Sequence, residues 1–151
     1  MAINSKRELL ILSDVAILED ISAIKTVTRT LLSYSDLKDD FALTQLPVCA
    51  VVGRLPVPTN HYDKRTGHPD FMVSSLNVDI YVYFQERVNM DSEMSSLLDD
   101  LWVALYADPS RGGLCITTTI ELSEQSHQVW EPFVAFQLVV KHQYQHTPGG
   151  I

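Results

Sequence analysis

Apolar positions along the chain change spacing several times, and the changes mark its elements. Leu76, Val78, Ile80, Val82 and Phe84 fall on one face, while Asn77, Asp79, Tyr81 and Tyr83 fall on the other. Alternation of period two predicts a strand with one buried face. Between Asp91 and Ala107 the spacing becomes three and four, through Met94, Leu97, Leu98, Leu101, Trp102, Leu105 and Tyr106. This is the stripe of an amphipathic helix; Ser95, Ser96, Asp99 and Asp100 take its other side. Asp91 is the expected N-cap, and Pro109, Gly112 and Gly113 end the helix. Trp102 and Tyr106, lying on the stripe, are expected in the core.

Weaker patterns fill the rest. Lys6 to Ser22 is rich in Leu and Ile, carries no Gly or Pro, and reads as a helix covered on more than one side. Ile24 to Leu32 alternates and is β-branched, as a strand would be. Ser35 to Asp40 is polar and reads as a turn or short helix. Pro47 opens the apolar run Val48 to Val52, which Gly53 closes; such a run is a buried strand. Leu55 to Pro69 holds Pro56, Pro58, Asn60, Asp63, Gly67 and Pro69, and reads as a long exposed loop or the tip of a long hairpin.

Two strands close the chain. Ile116, Thr118, Ile120 and Leu122 form one inward row, and Val134, Phe136, Leu138 and Val140 another. A polar turn around Ser123 to Gln128 joins them into an antiparallel hairpin. The order of helix, strands, helix, strands gives an α+β fold, with a mostly antiparallel sheet, helices packed on one face and a long hairpin loop.

Composition narrows the function classes. The 151 residues fit one domain spanning 1–151, large enough to own a core. A formal net charge of −8 argues against tight nucleic-acid binding, which needs clustered Lys and Arg, but suits a wall that DNA slides past. The two cysteines, Cys49 and Cys115, make no disulfide framework and read as buried thiols in a reducing setting. No apolar run reaches the ~18 residues of a membrane span.

The search for chemistry returns no motif. Gly112 and Gly113 are followed by Leu114 and a strand, so they form no phosphate loop. No Ser stands in a nucleophile elbow, and a Ser–His–Asp set could be drawn from any chain of this length. His142 and His146 share a strand face about 13 Å apart, too far to hold one metal ion. His61 and His68, with Asp63 and Asp70, could converge on a metal, but a solvated loop is the expected reading. The expectation is no cofactor, no metal and no catalytic residue. Tyr81 and Tyr83 on a polar face suit a protein interface, or else are covered by a second layer of the same domain. Trp130 and Phe133, flanking Pro132, carry the same two readings.

The element order, with Leu46-Pro47 opening one strand and Gly53 closing it, resembles the tail terminator and tail-completion proteins of tailed phages. The likeness runs from about Arg7 to Tyr144 and lies in order and hydrophobicity, with no invariant residue matched. It implies a structural virion protein without catalysis. Such a protein assembles in the host cytoplasm as a homo-oligomeric, hexameric ring at the head-proximal end of the tail. Its partners would be the tail tube protein and the head-tail connector or neck proteins, with DNA only passing through and no membrane. The stretch from Arg54 to Asp70 would be an arm reaching a neighbour or the tube, offering Arg54, His61, Tyr62, Lys64, Arg65 and His68; Tyr81, Tyr83 and Trp130 complete the candidate interface. The end from about His146 to Ile151 would be a flexible tail. The rival readings are another neck, head-completion or minor tail subunit, and a small cytoplasmic ligand-binding or enzymatic α+β domain.

Overall fold

The computed structural model describes residues 5–32, 47–62, 69–85, 90–130 and 133–146. Helix α1 (Lys6–Glu19) opens the chain. Its N-cap is Ser5, whose hydroxyl accepts from the Glu8 amide and so satisfies one donor of the first turn. Strands β1 (Thr26–Thr28), β2 (Val48–Gly53), β3 (Val57–Tyr62) and β4 (Pro69–Gln85) follow, then helix α2 (Met90–Tyr106) and strands β5 (Thr117–Trp130) and β6 (Phe133–His146).

The strands form one mixed sheet in the order β1-β2-β4-β6-β5, with β3 also pairing β4. Among the described strands only β1 and β2 run parallel; the other pairs are antiparallel. The fold is α+β. Strand β4 is its spine: β3 pairs with it from Ser75 back to Pro69, β2 from Val78 to Tyr83, and β6 along Met72 to Gln85. Strands β2 and β3 thus lie end to end on one side of β4, interrupted by Arg54, Leu55 and Pro56. Pro56 has no N–H to give a ladder. At ~3.3 Å per residue, β4 runs roughly 50 Å.

Both described helices pack on one face. Leu10, Ile11 and Leu18 of α1 and Met94, Leu97, Leu101 and Leu105 of α2 meet the inward row of β4, Leu76 to Phe84, and Phe136, Leu138 and Val140 of β6. Phe84 and Phe136 meet edge to face at 6.2 Å. The contact of α1 with the sheet is close at Gly53: a Cβ there would sit well inside contact distance of the Ile11 Cδ1 methyl. Arg7 fastens the crossing by donating to the Gly53 and Arg54 carbonyls at 3.0 and 3.2 Å. On the other face a smaller cluster joins Leu32, Val48, Ala50 and Tyr83, with Tyr81 and Ala135 against it.

Several expectations need correction. The strand read over Ile24 to Leu32 is real only at Thr26–Thr28; Ile24 is buried beneath the helices but outside the ladder. The stretch after Leu55 resolves toward the hairpin alternative, because β3 pairs with β4. The turn placed at Ser123 to Gln128 is strand, with register shifts at Leu122/Glu124 and Ser126/Trp130. Those irregularities let polar residues continue a strand whose alternation they break. Helix α2 starts at Met90, so Asp91 stands within its first turn rather than capping it. Trp102 is 40% exposed, its ring tilted at 60° to that of Tyr106 with 5.2 Å between centroids, and belongs to the margin of the core. Ile116 precedes β5 and is exposed. His146 is paired with Met72, so the ordered ladder reaches into the expected tail. Ser35 to Asp40 lies outside the described residues.

Candidate functional site

Two polar constellations stand out, one inside the core and one on the face away from the helices. The inner one arises because three polar residues occupy inward positions of otherwise apolar stripes. Asp14 follows Leu10 and Ile11 on the buried side of α1. His142 continues the inward row of β6 after Leu138 and Val140, and Thr118 lies directly opposite it on β5. The fourth member, Arg111, comes from the turn after α2, where its backbone takes φ +50 ahead of Gly112 and Gly113, also at positive φ. All four are buried.

Their contacts form a chain. Thr118 donates to the Pro109 carbonyl at 2.7 Å and lies 2.8 Å from His142 Nδ1. His142 Nε2 lies 2.7 Å from Asp14 Oδ2. Asp14 Oδ1 accepts from Arg111 Nε at 3.2 Å, and Arg111 Nη1 donates to the Leu105 and Asp108 carbonyls at 2.7 and 2.6 Å. The Cys115 thiol, 3.9 Å from His142 Nδ1, points at the Pro109 carbonyl at 3.2 Å. Burial pushes that thiol up from its ordinary titration range, so it serves as a donor rather than a thiolate.

Hydroxyl, imidazole and carboxylate in this order are the parts of a hydrolase relay. Here the Thr118 proton is committed to Pro109, and His142 and Asp14 have no solvent-facing surface. The cluster therefore ties α1, the turn after α2, β5 and β6 together; it presents no nucleophile. Buried charges are tolerated when paired and hydrogen-bonded, which this arrangement achieves for Asp14.

The outer constellation centres on Asp79. Arg54 grips its carboxylate in a two-pronged pair, Nε to Oδ2 at 2.7 Å and Nη2 to Oδ1 at 2.8 Å, and Gln137 Nε2 adds a bond to Oδ1 at 3.1 Å. Asp79 is nearly enclosed while Arg54 is half exposed. The paired guanidinium bridges the β2–β3 interruption to β4.

The candidate interface residues separate accordingly. Arg54 is engaged in this pair. Tyr83 is 3% exposed and packed among Leu32, Val48 and Ala50 of its own chain, so the covered reading holds and it offers no open contact surface. Its phenol is pushed up to about 12 by burial, with Tyr81 adding to the effect. Tyr81 is partly buried against the same cluster, its hydroxyl 3.5 Å from Gln137 Nε2. His61 and Tyr62 belong to β3, opposite Phe71 and Pro69, and Trp130 ends β5 opposite Phe133; their side chains are outside the description. Lys64, Arg65 and His68 lie outside the described residues, as does Asp63 of the possible metal set. Among the described residues no three His, Cys, Asp or Glu side chains converge on a metal position. No described helix is long and apolar enough to cross a membrane.

Sequence reasoning missed the inner cluster. Its signal was present in phase: Asp14, Thr118 and His142 each fall where an apolar residue belongs. Spacing along β6 relates His142 only to His146, whereas the partners it meets lie on β5 and α1. Comparison with protein-family models finds no match, and comparison with curated proteins finds none either.

Proposed function

We propose that this chain is a structural subunit of a phage tail, a tail terminator that caps the head-proximal end of the tail tube as a ring and meets the head-connector proteins. The observation that carries the reading is the long strand β4 with a hairpin at each end: β3–β4 at its start, and β5–β6 turning beside its finish. Hairpins at opposite ends of a rigid sheet suit a subunit that must touch different neighbours above, below and beside it. Among the described residues chemistry gives no competing reading of equal weight, since their polar clusters are enclosed or consumed in internal pairs. A net charge of −8 suits a passage through which DNA moves without adhering. In a closed ring each copy meets its neighbours through two different surfaces, and closure fixes the number of copies.

Electron microscopy of the purified chain, alone and mixed with tail tubes from the same source, tests the proposal. A six-fold ring, or a cap at one tube end that arrests tube growth, is the expected result. A monomer that leaves the tubes unaltered in length and end structure overturns it.

A further inference from the structure

We infer that the buried Asp14–His142–Thr118 cluster is a proton-operated latch, in which one proton shared by Asp14 and His142 holds the turn after α2 against β5. The argument is a count of donors and acceptors. Thr118 has a single hydroxyl proton, and it lies 2.7 Å from the Pro109 carbonyl, which can only accept. With that proton spent, Thr118 Oγ1 is an acceptor, so His142 Nδ1 at 2.8 Å must be the donor. At the other side of the ring, Nε2 lies 2.7 Å from Asp14 Oδ2. A proton must lie on that line too, since two bare acceptors at this distance repel. Asp14 and His142 together thus hold one proton more than a carboxylate beside a neutral imidazole. Every short contact of the cluster is satisfied only in that state.

Removing the proton has one outlet. His142 keeps its Nε2 proton for Asp14, and the Thr118 hydroxyl rotates to donate to the bare Nδ1. The Pro109 carbonyl then faces Thr118 Oγ1 as acceptor against acceptor at 2.7 Å, keeping only the weak Cys115 thiol as donor. Strain falls on the segment from Asp108 to Cys115, where Arg111 already stands at positive φ. The groups facing His142 set the balance. From α1 comes Asp14, from the turn Arg111 and Cys115, and from β5 Thr118; β4 contributes apolar Leu76 opposite. The guanidinium of Arg111 lies on the far side of Asp14 and competes for the same carboxylate.

The test is nuclear magnetic resonance of the full chain with labelled histidine, recorded across the pH range in which the chain stays folded. At the acid end His142 Nδ1 is expected to carry a proton, with a further one on the line between Nε2 and Asp14. As Nδ1 loses its proton, the amides of Arg111, Gly113 and Cys115, which bond to the Asp108 and Ser110 carbonyls, are expected to lose several-fold to about tenfold in exchange protection. That is the size of one lost hydrogen bond. Thr118→Val, which cannot relay the change, is expected to show the lower protection at every pH. An Nδ1 without a proton throughout, or a pH dependence of turn protection equal in Thr118→Val and the parent, overturns the inference.

Discussion

Substituting Gly53 by alanine probes the closest approach of α1 to the sheet. The added methyl lands on Ile11 Cδ1, and Ile11 is fully enclosed, so its side chain cannot swing out to solvent. Two effects oppose. Alanine stiffens the unfolded chain and suits a strand better than glycine, which by itself stabilises by about 0.4–1 kcal/mol. Overpacking a filled core costs about 1–3 kcal/mol. The clash wins, for a net loss of about 1–2 kcal/mol. The identity of the offending atom gives a sharper form of the test. Ile11→Val deletes Cδ1 and alone costs about 0.5–1.5 kcal/mol. In the double variant the methyl at position 53 occupies the space that Cδ1 vacated. Its stability is therefore expected to match or exceed that of Ile11→Val, a coupling of about 1–2 kcal/mol in a double-mutant cycle. Urea unfolding at constant m-value measures all four proteins. Additive losses, or a Gly53→Ala chain as stable as its parent, would refute the claim that α1 rests on the β2 backbone at this point.

Other variants test the polar clusters. Asp14→Ala removes the carboxylate that Arg111 and His142 share and strands two buried donors; a loss of about 3–5 kcal/mol is expected in the same denaturant assay, and one below about 1 kcal/mol would show the cluster to be slack. Arg54→Ala leaves the Asp79 carboxylate with Gln137 alone, yet Arg54 is half exposed, so about 1 kcal/mol or less is expected, shrinking with added salt. At alkaline pH the burial of Tyr83 sets a sign: the unfolded phenol ionises near 10 while the folded one holds its proton to about 12. Folding stability should thus fall as pH rises from about 10 to 12, by up to about 2 kcal/mol. Tyr83→Phe should flatten that fall when stability is followed against pH, and an unchanged slope would contradict it.

How much of this was legible depended on whether a pattern was local. The alternation of Leu76 to Phe84 and the stripe of α2 could be read directly because each element buries one face against a single layer. Strand β3 was hidden because Pro56, Pro58 and Asn60 are turn formers; what holds it in the ladder is its pairing with the start of β4. The β5 extension was hidden in the same way, since Ser123 to Gln128 carries no apolar row and is strand only because β6 lies beside it. Trp102 looked like core from its spacing, yet α2 turns it to the rim, where half-cover by Tyr106 suffices. The inner cluster needs Asp14 and His142, 128 positions apart, to meet, and no periodicity within either element carries that contact.

Strand β4 and its partner β6 also fix how a load would travel through the subunit. The β3–β4 connection leaves from the start of β4, and the β5–β6 connection from the start of β6, at the opposite end of the same ladder. Tension between the two connections would slide β4 along β6, so the register pairs from Met72↔His146 to Gln85↔Phe133 would all resist together instead of opening one after another. The sheet is thus stiffest along the line joining its two hairpin ends, and a pull in that direction would be passed from one end to the other with little deformation between.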